Sequence, residues 1–219
     1  MNQPILIGFG DSWAFGDDLN PGEKTYLELA AEKFQIPWFN FAVGSSSVSH
    51  LVIQFQHFIN TKYFPKNQYY AVFFLTAQER TFYYDQDTKD IVHIGPSSDP
   101  ENPYYQNYNN ELGNFTLNTT ILALQQLCSI YNVQDYYMLG WQTNALWTEV
   151  DHAKIWRAGN HTITQVFHGT GYQIELATLL GLGTDAPPKN PCFDPGLNHP
   201  NQLGHEKIAQ ALYEWIKIK

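Results

Sequence analysis

Positive charge is scarce in this chain of 219 residues. The sequence has 12 lysines and arginines against 21 aspartates and glutamates, which gives a formal net charge of −9 at pH 7. Proteins that bind a phosphate backbone or an anionic membrane need clustered basic residues, and the few present here are spread thinly. The composition therefore argues against nucleic acid and against an anionic membrane surface as partners.

Long apolar runs and a basic leader are also missing. The opening MNQPILIGFG reaches a glycine after three apolar residues, and no stretch approaches the ~18 apolar residues of a membrane span. We therefore expect neither a membrane span nor a secretion signal, and a cytoplasmic location by default.

Cysteine is rare, with only Cys128 and Cys192, and free thiols are expected without signs of export. The histidines do not form a metal-binding pattern. His50 and His57 are predicted on a helix and His205 in the first turn of the last helix, and no HExxH or clustered Cys/His spacing occurs. The sequence predicts no metal site and requires no cofactor.

Apolar strand-like runs alternate with amphipathic segments along the chain. A continuous apolar run indicates a strand buried on both faces, and apolar positions at helical spacing indicate a helix packed on a sheet. The predicted strands are residues 4–9, 38–43, 69–75 and 133–141, and the predicted helices are EKTYLELAAEKF, 44–64, 117–132 and 201–218.

This alternation predicts a doubly wound α/β fold, a flavodoxin-like three-layer α/β/α sandwich with a mostly parallel sheet. The length favours one domain over residues 1–219. Two stretches, 80–116 and 142–190, do not fit the alternation and are expected as loop insertions at the working edge of the sheet. The first contains a predicted hairpin around YYDQDTKDIVHI.

Ser12 and His199 are candidates for a catalytic pair. Ser12 follows the first strand in LIGFGDSWAFGDDL, and His199 precedes the last helix. Because the carboxyl ends of parallel strands lie at one edge, these residues can meet there. A serine hydroxyl needs an adjacent imidazole to become a nucleophile, and acyl transfer needs N–H donors, for which Gly44 is well placed. Alternatively, Ser12 caps a helix, Gly44 serves a turn and His199 is an ordinary loop residue.

Three segments, FGDSWAFG, NFAVGSSS and HPNQLGHEKIA, resemble in their order the GDSL, or SGNH, hydrolase family of esterases and lipases. The resemblance extends from residue 5 to about residue 213. It implies the SGNH-type α/β fold, with Ser12 as nucleophile and His199 as general base. It also implies that the N–H groups of Ser12 and Gly44 form the oxyanion hole.

The sequence departs from the family pattern at two functional positions. The family's Gly-x-Asn-Asp block after the third strand is replaced by Thr76, Ala77, Gln78 and Glu79, so Gln78 is the candidate third oxyanion donor, with a side chain one methylene longer. Gln78 could instead be a structural hydrogen-bonding residue.

The family places its acid three residues before the histidine, where this chain has Gly196. Asp194 lies five residues before His199 and is the candidate acid of the triad. The alternative is a backbone carbonyl that orients the imidazole and leaves a Ser-His dyad.

Further polar and aromatic residues are candidates for substrate binding. Asp11 lies beside the serine, and Arg80 could bind a substrate carboxylate or pair with Glu79 or Asp85. Tyr83 and Tyr84 belong to an aromatic group that could stack on sugars or pack under the loops.

Two functions from different classes follow. The first is a serine esterase that acts through an acyl-enzyme on a small ester or an acylated carbohydrate, with deacetylation as the working hypothesis. The second is a catalytically weakened binding or structural protein of the same fold, for example one carried on a viral particle. Since losing one oxyanion donor typically costs ~10²–10³ in rate, the altered third block alone does not exclude catalysis. Neither the oligomeric state nor the natural ester follows from the sequence.

Overall fold

A parallel sheet of five strands forms the centre of the computed structural model, which describes residues 3–76, 80–94, 103–139, 146–156, 199–216 and 218. The strands are β1 (Ile5–Phe9), β2 (Trp38–Asn40), β3 (Tyr69–Leu75), β4 (Thr81–Asp85), β5 (Asp90–Ile94), β6 (Val133–Leu139) and β7 (Ile155–Trp156). The helices are α1 (Ser12–Phe15), α2 (Tyr26–Phe34), α3 (His50–Thr61), α4 (Pro103–Asn107), α5 (Asn110–Ile130) and α6 (Gln202–Trp215), and a 3-10 turn covers His152–Lys154.

The strand order is β2-β1-β3-β6-β7, with every neighbouring pair parallel, and β4 and β5 form a separate antiparallel hairpin. Among the strands of the main sheet this is the 2-1-3-4-5 order of doubly wound, flavodoxin-like folds. The predicted fold class and the predicted hairpin are confirmed. In such a sheet the carboxyl ends of β1 and β3 meet at one edge, where ligands bind.

Helices cover both faces of the sheet. Leu27 and Ala30 of α2 pack with Ile208 and Leu212 of α6 on one face. On the other face, α3 and α5 bury side chains against a row of rings that crosses three neighbouring strands. The rings of Phe9 and Phe73 are 4.7 Å apart, and those of Phe73 and Tyr137 are 5.1 Å apart. All seven residues of β3 are buried, as its continuous apolar run predicts.

Two elements are shorter than their sequence pattern predicts. The second strand ends at Asn40 rather than residue 43, because the Asn40 side chain accepts a hydrogen bond from Ala42 N–H and donates one to the carbonyl of Ala14. The third helix begins at His50 rather than residue 44. Ser45 adopts a left-handed φ of 60° in the preceding turn, and serine side chains there compete for hydrogen bonds with a helical backbone.

The predicted loop region 80–116 contains more helix than expected. It includes α4 and the first turns of α5, which starts at Asn110, where Asn109 accepts a hydrogen bond from Leu112 N–H. Cys128 is a free, buried cysteine, and burial raises the pKa of its thiol. Among the described residues, no helix has the length and apolar character that crossing a membrane requires.

Candidate active site

Ser12 is the first residue of α1, directly beyond the end of β1. The cap of this helix is Asp11, whose Oδ1 accepts a hydrogen bond from Trp13 N–H at 3.0 Å. The Ser12 carbonyl accepts hydrogen bonds from the N–H groups of Gly16 and Asp17, at 2.9 and 3.0 Å. The Ser12 hydroxyl forms no hydrogen bond with any described residue. Capping is therefore done by Asp11, and the serine side chain is left for another role.

Asp11 is fully buried and connects the ends of β1 and β3. Its Oδ2 accepts hydrogen bonds from the Thr76 hydroxyl and, at 3.1 Å, from Arg80 Nη1, which also donates to Thr76 Oγ1 at 3.2 Å. Burial raises the pKa of Asp11, and the Arg80 charge opposes this shift. Asp11 has no exposed surface and both its oxygens are bonded inside the protein, so it supports the serine loop and Arg80 rather than facing solvent.

Gly44 lies in the loop after β2, beside the serine loop. Val43 N–H donates to the Gly10 carbonyl at 3.1 Å and ties the two loops together. A Cβ at Gly44 would lie 2.9 Å from Asp17 Oδ2, the end of a side chain of the serine loop, so the two loops approach closely at this glycine. Within the described part of the chain, neither Ser12 N–H nor Gly44 N–H donates to an acceptor.

Gln54, a buried residue of α3, holds both of these loops. Its side-chain amide accepts a hydrogen bond from Gly10 N–H at 2.9 Å and donates to the Gly10 carbonyl at 2.8 Å and to Ser46 Oγ at 2.9 Å. Ser46 Oγ in turn lies 2.9 Å from His50 Nδ1. The amide thus fixes residues two positions from Ser12 and two positions from Gly44. The only signal for this in the sequence is a glutamine on the apolar face of a helix.

His199 lies at the same end of the sheet as Ser12. Its Nδ1 is 2.5 Å from Oδ2 of Asp18, which follows α1 directly in the serine loop. Burial raises the pKa of Asp11, and the imidazole lies close enough to this carboxyl to oppose the rise weakly. Asp18 could not be predicted as the partner of His199, because the two residues are 181 positions apart and no local pattern connects them.

The start of α6 is anchored to the start of α2, which fixes the position of His199. Asn201 caps α6 by accepting a hydrogen bond from Gly204 N–H at 3.2 Å. Gln202 Oε1 accepts from Lys24 N–H at 2.7 Å, and His205 Nδ1 accepts from Tyr26 N–H at 3.0 Å. As predicted, His205 lies in the first turn of the last helix.

Ser12 and His199 are both described, and no hydrogen bond joins them. Catalytic hydrogen bonds are often long without substrate and shorten in the reactive complex. The lack of a hydrogen bond here is therefore compatible with a catalytic pair. At one edge of the sheet the structure brings together a serine hydroxyl and an imidazole paired with a carboxylate. Two backbone N–H groups that have no acceptor among the described residues lie there as well. These are the groups that acyl transfer uses.

The other candidates predicted from the sequence are Gln78, Asp194, Tyr83 and Tyr84. Gln78 and Asp194 lie outside the described residues, and their proposed roles stay predictions. Tyr83 and Tyr84 of β4 are 49% and 51% exposed, as a surface for ligand stacking would require. In the part of the chain that the structure describes, no group of His, Cys, Asp and Glu side chains is placed to hold a metal ion.

The buried imidazoles predict a loss of stability in mild acid. Burial is the main cause that lowers the pKa of His50 and of His205 from 6.5 to about 4, and the charges of His93 and His199, respectively, add to it. The unfolded chain protonates these histidines near pH 6.5, so it binds more protons than the folded chain between about pH 6.5 and 4. The free energy of unfolding should fall through this window, by ~3 kcal/mol for each imidazole.

Urea unfolding at pH 7, 5.5 and 4.5 measures this loss. In His205→Gln the dependence on pH should be shallower than in the wild type, whereas His57→Gln, at an exposed position of α3, should keep the wild-type dependence. Equal slopes in the wild type and His205→Gln would contradict the assignment.

Solved structures of esterases share this architecture. An acetyl xylan esterase, AlAXEase, superimposes with a TM-score of 0.52 at 13% identity, over 97% of this chain and 100% of that chain. An acetylxylan esterase from Geobacillus stearothermophilus gives 0.50 at 13% identity, over 100% and 98%. A protein from Desulfitobacterium hafniense assigned to the lipolytic G-D-S-L family gives 0.51 at 13% identity, over 98% and 100%.

No family model matches the sequence, and no curated protein matches it. At identities of 13% the likeness to the solved structures shows the fold. The chain therefore has the three-layer α/β/α fold of the GDSL, or SGNH, hydrolases, as the resemblance of its motifs implied.

Proposed function

We propose that this protein is a serine hydrolase that cleaves carboxylic esters through an acyl-enzyme on Ser12, with His199 as the base. The observation that carries the proposal is the meeting of two distant segments at one edge of the sheet. Ser12 begins α1 at the end of β1, and His199 pairs with a carboxylate of the same serine loop. A helix cap needs neither of these features, and Asp11 already provides the cap.

The proposed reaction uses each group in turn. Ser12 Oγ attacks the ester carbonyl carbon while His199 Nε2 takes the hydroxyl proton. The N–H groups of Ser12 and Gly44 donate to the oxyanion of the tetrahedral intermediate. Collapse of this intermediate breaks the bond to the leaving alcohol, which receives the proton from His199. Water then attacks the acyl-enzyme by the same route and releases the acid.

The proposed substrate is a carbohydrate that carries a small acyl group, such as acetate. Two of the structures with the same fold are acetylxylan esterases, and this chain exposes Tyr83 and Tyr84 on the β4–β5 hairpin. Tyrosine rings offer a flat apolar face and a polar tip, which suits contact with a sugar. In this proposal the sugar ring contacts the two tyrosines, and its acyl group extends to Ser12 at the edge of the sheet.

Covalent labelling with a fluorophosphonate tests the nucleophile. The intact mass of the wild type should increase by one adduct, and peptide mapping should place this adduct on Ser12. His199→Ala should take up the probe far more slowly, because the hydroxyl then lacks its base. Acetate release from acetylated xylo-oligosaccharides and from p-nitrophenyl acetate measures turnover. If the folded wild type takes no adduct, the proposal fails and the binding-protein alternative is favoured. An adduct on another serine would exclude Ser12 as the nucleophile.

A further inference from the structure

The loop that carries the proposed nucleophile also holds the carboxylate on the imidazole. We propose that Asp18 is the positioning residue of His199, and this inference rests on the proposed function. The contact between Asp18 Oδ2 and His199 Nδ1, 2.5 Å long, is a charge-assisted hydrogen bond by its length and its partners. Gly196 occupies the position three residues before His199, so a carboxylate from another part of the chain takes the place expected there.

Asp18 directly follows the turn that the Ser12 carbonyl closes. Hydrogen bonds from Gly16 and Asp17 N–H to the Ser12 carbonyl close the turn after α1, and Leu19 N–H donates to the Gly16 carbonyl at 3.3 Å. Asp18 then adopts a left-handed φ of 68°. Aspartate tolerates this conformation better than most residues, although it still costs free energy. The serine and the carboxylate are therefore parts of one closed turn, and they hold a fixed relation to each other.

The contact with Asp18 determines which ring nitrogen of His199 carries the proton in the neutral imidazole. A neutral imidazole that donates its Nδ1 proton to Asp18 carries a lone pair on Nε2, which is the atom that must accept the Ser12 proton. The carboxylate also stabilises the imidazolium that forms during the reaction. Because Nδ1 carries a single hydrogen, it can be directed at Asp18 or at Asp194, but not at both. In the structure Nδ1 lies 2.5 Å from Asp18 Oδ2, so Asp18 is the acceptor placed for this hydrogen.

The solvent exposure of Asp18 and His199 determines how much kcat should fall when Asp18 is replaced. The side chain of Asp18 is 42% exposed and that of His199 is 25% exposed, so water screens their attraction. A buried triad aspartate contributes ~10⁴ in kcat, and a screened one should contribute less. We expect Asp18→Asn to lower kcat for p-nitrophenyl acetate by ~10²-fold and to leave KM within ~2-fold, because the interaction strengthens when the ring becomes charged.

Three further variants complete the kinetic test. Asp18→Gly removes the carboxylate and adopts the left-handed φ without strain, so it should lose the same activity even if the asparagine variant folds poorly. Asp87→Asn replaces an exposed aspartate of the hairpin turn and should keep wild-type kcat. Asp194→Asn is the competing variant. A loss of kcat there, with Asp18→Asn and Asp18→Gly at the wild-type rate, would overturn the proposal.

A spectroscopic measurement separates this inference from the proposed function. The ¹⁵N chemical shifts of His199 report which ring nitrogen carries the proton. In the wild type Nδ1 should be protonated, and in Asp18→Gly the population protonated on Nε2 should increase. If the wild type neither hydrolyses esters nor takes the phosphonate, the proposed function fails, and the tautomer alone decides the role of Asp18. The same tautomer in the wild type and in Asp18→Gly would exclude Asp18 as the positioning residue.

Discussion

Replacing Ser12 by alanine should lower kcat for ester hydrolysis by ~10⁴-fold or more, with little change in stability. The loss is large because the proposed acyl-enzyme forms on the Ser12 hydroxyl oxygen, which alanine lacks. The stability should persist because the serine hydroxyl makes no hydrogen bond within the described residues and Asp11 caps the helix. Ser12 is buried, but removing a hydroxyl that has no hydrogen-bond partner in the described part of the chain leaves no other polar group there unsatisfied, so the free energy of unfolding should change little.

The measurements are initial rates with p-nitrophenyl acetate and urea unfolding of the same preparations. Ser129→Ala is the matched control, since Ser129 is an exposed serine near the end of α5, at the opposite edge of the sheet from Ser12. It should keep both the rate and the stability of the wild type. If Ser12→Ala retained a tenth of the wild-type kcat, Ser12 would not be the nucleophile.

A methyl group at position 10 should cost both stability and activity. A Cβ built at Gly10 lies 2.6 Å from the Cβ of Ala14 and 2.9 Å from the Cβ of Phe74. Both atoms are attached directly to the backbone, so relief requires α1 and β3 to move apart. Overpacking of this kind typically costs ~1–3 kcal/mol. The same movement displaces Ser12, and a shift of ~1 Å in a reacting group can cost ~10²-fold in rate.

Gly8→Ala provides the matched control for Gly10→Ala. A Cβ at Gly8 lies 2.6 Å from Leu27 Cδ2, which is the end of a flexible side chain. Because Leu27 can rotate, the expected loss of stability is smaller, and kcat should stay near that of the wild type. Rates and urea unfolding for both variants test the difference. Wild-type activity in Gly10→Ala would show that the serine loop is not fixed by this contact.

Most of the sheet could be predicted because its signals are local. The run YYAVFFL predicts β3 over residues 69–75 with its observed bounds, since a strand buried on both faces needs apolar residues throughout. Of the residues that the sequence predicts on the apolar face of the last helix, Ile208, Ala209, Leu212 and Ile216 are buried and Trp215 is partly buried. The short strand β7, with two residues, was missed because so few positions show no periodicity.

The site was predictable only in part, and the reason is sequence separation. Ser12, Gly44 and His199 follow or precede regular elements, so the parallel topology places them at one edge. Asp18 and Gln54 contact segments that are distant in the sequence, and no local sequence pattern predicts either contact. From the sequence alone, these two residues cannot be distinguished from other polar residues of loops and helices.

The bond between Asp18 and His199 has a consequence for the order of folding. Closing a loop of 181 residues costs ~5 kcal/mol of chain entropy. A contact between two partly exposed side chains contributes ~0–1 kcal/mol and cannot offset this cost. The apolar contacts of α6 with α2 must therefore join the two segments first, with Ile208 and Leu212 buried against Leu27 and Ala30. The proposed active site then forms only after this helix pair has docked, so the rate at which activity appears on refolding should report on the packing of α6 against α2.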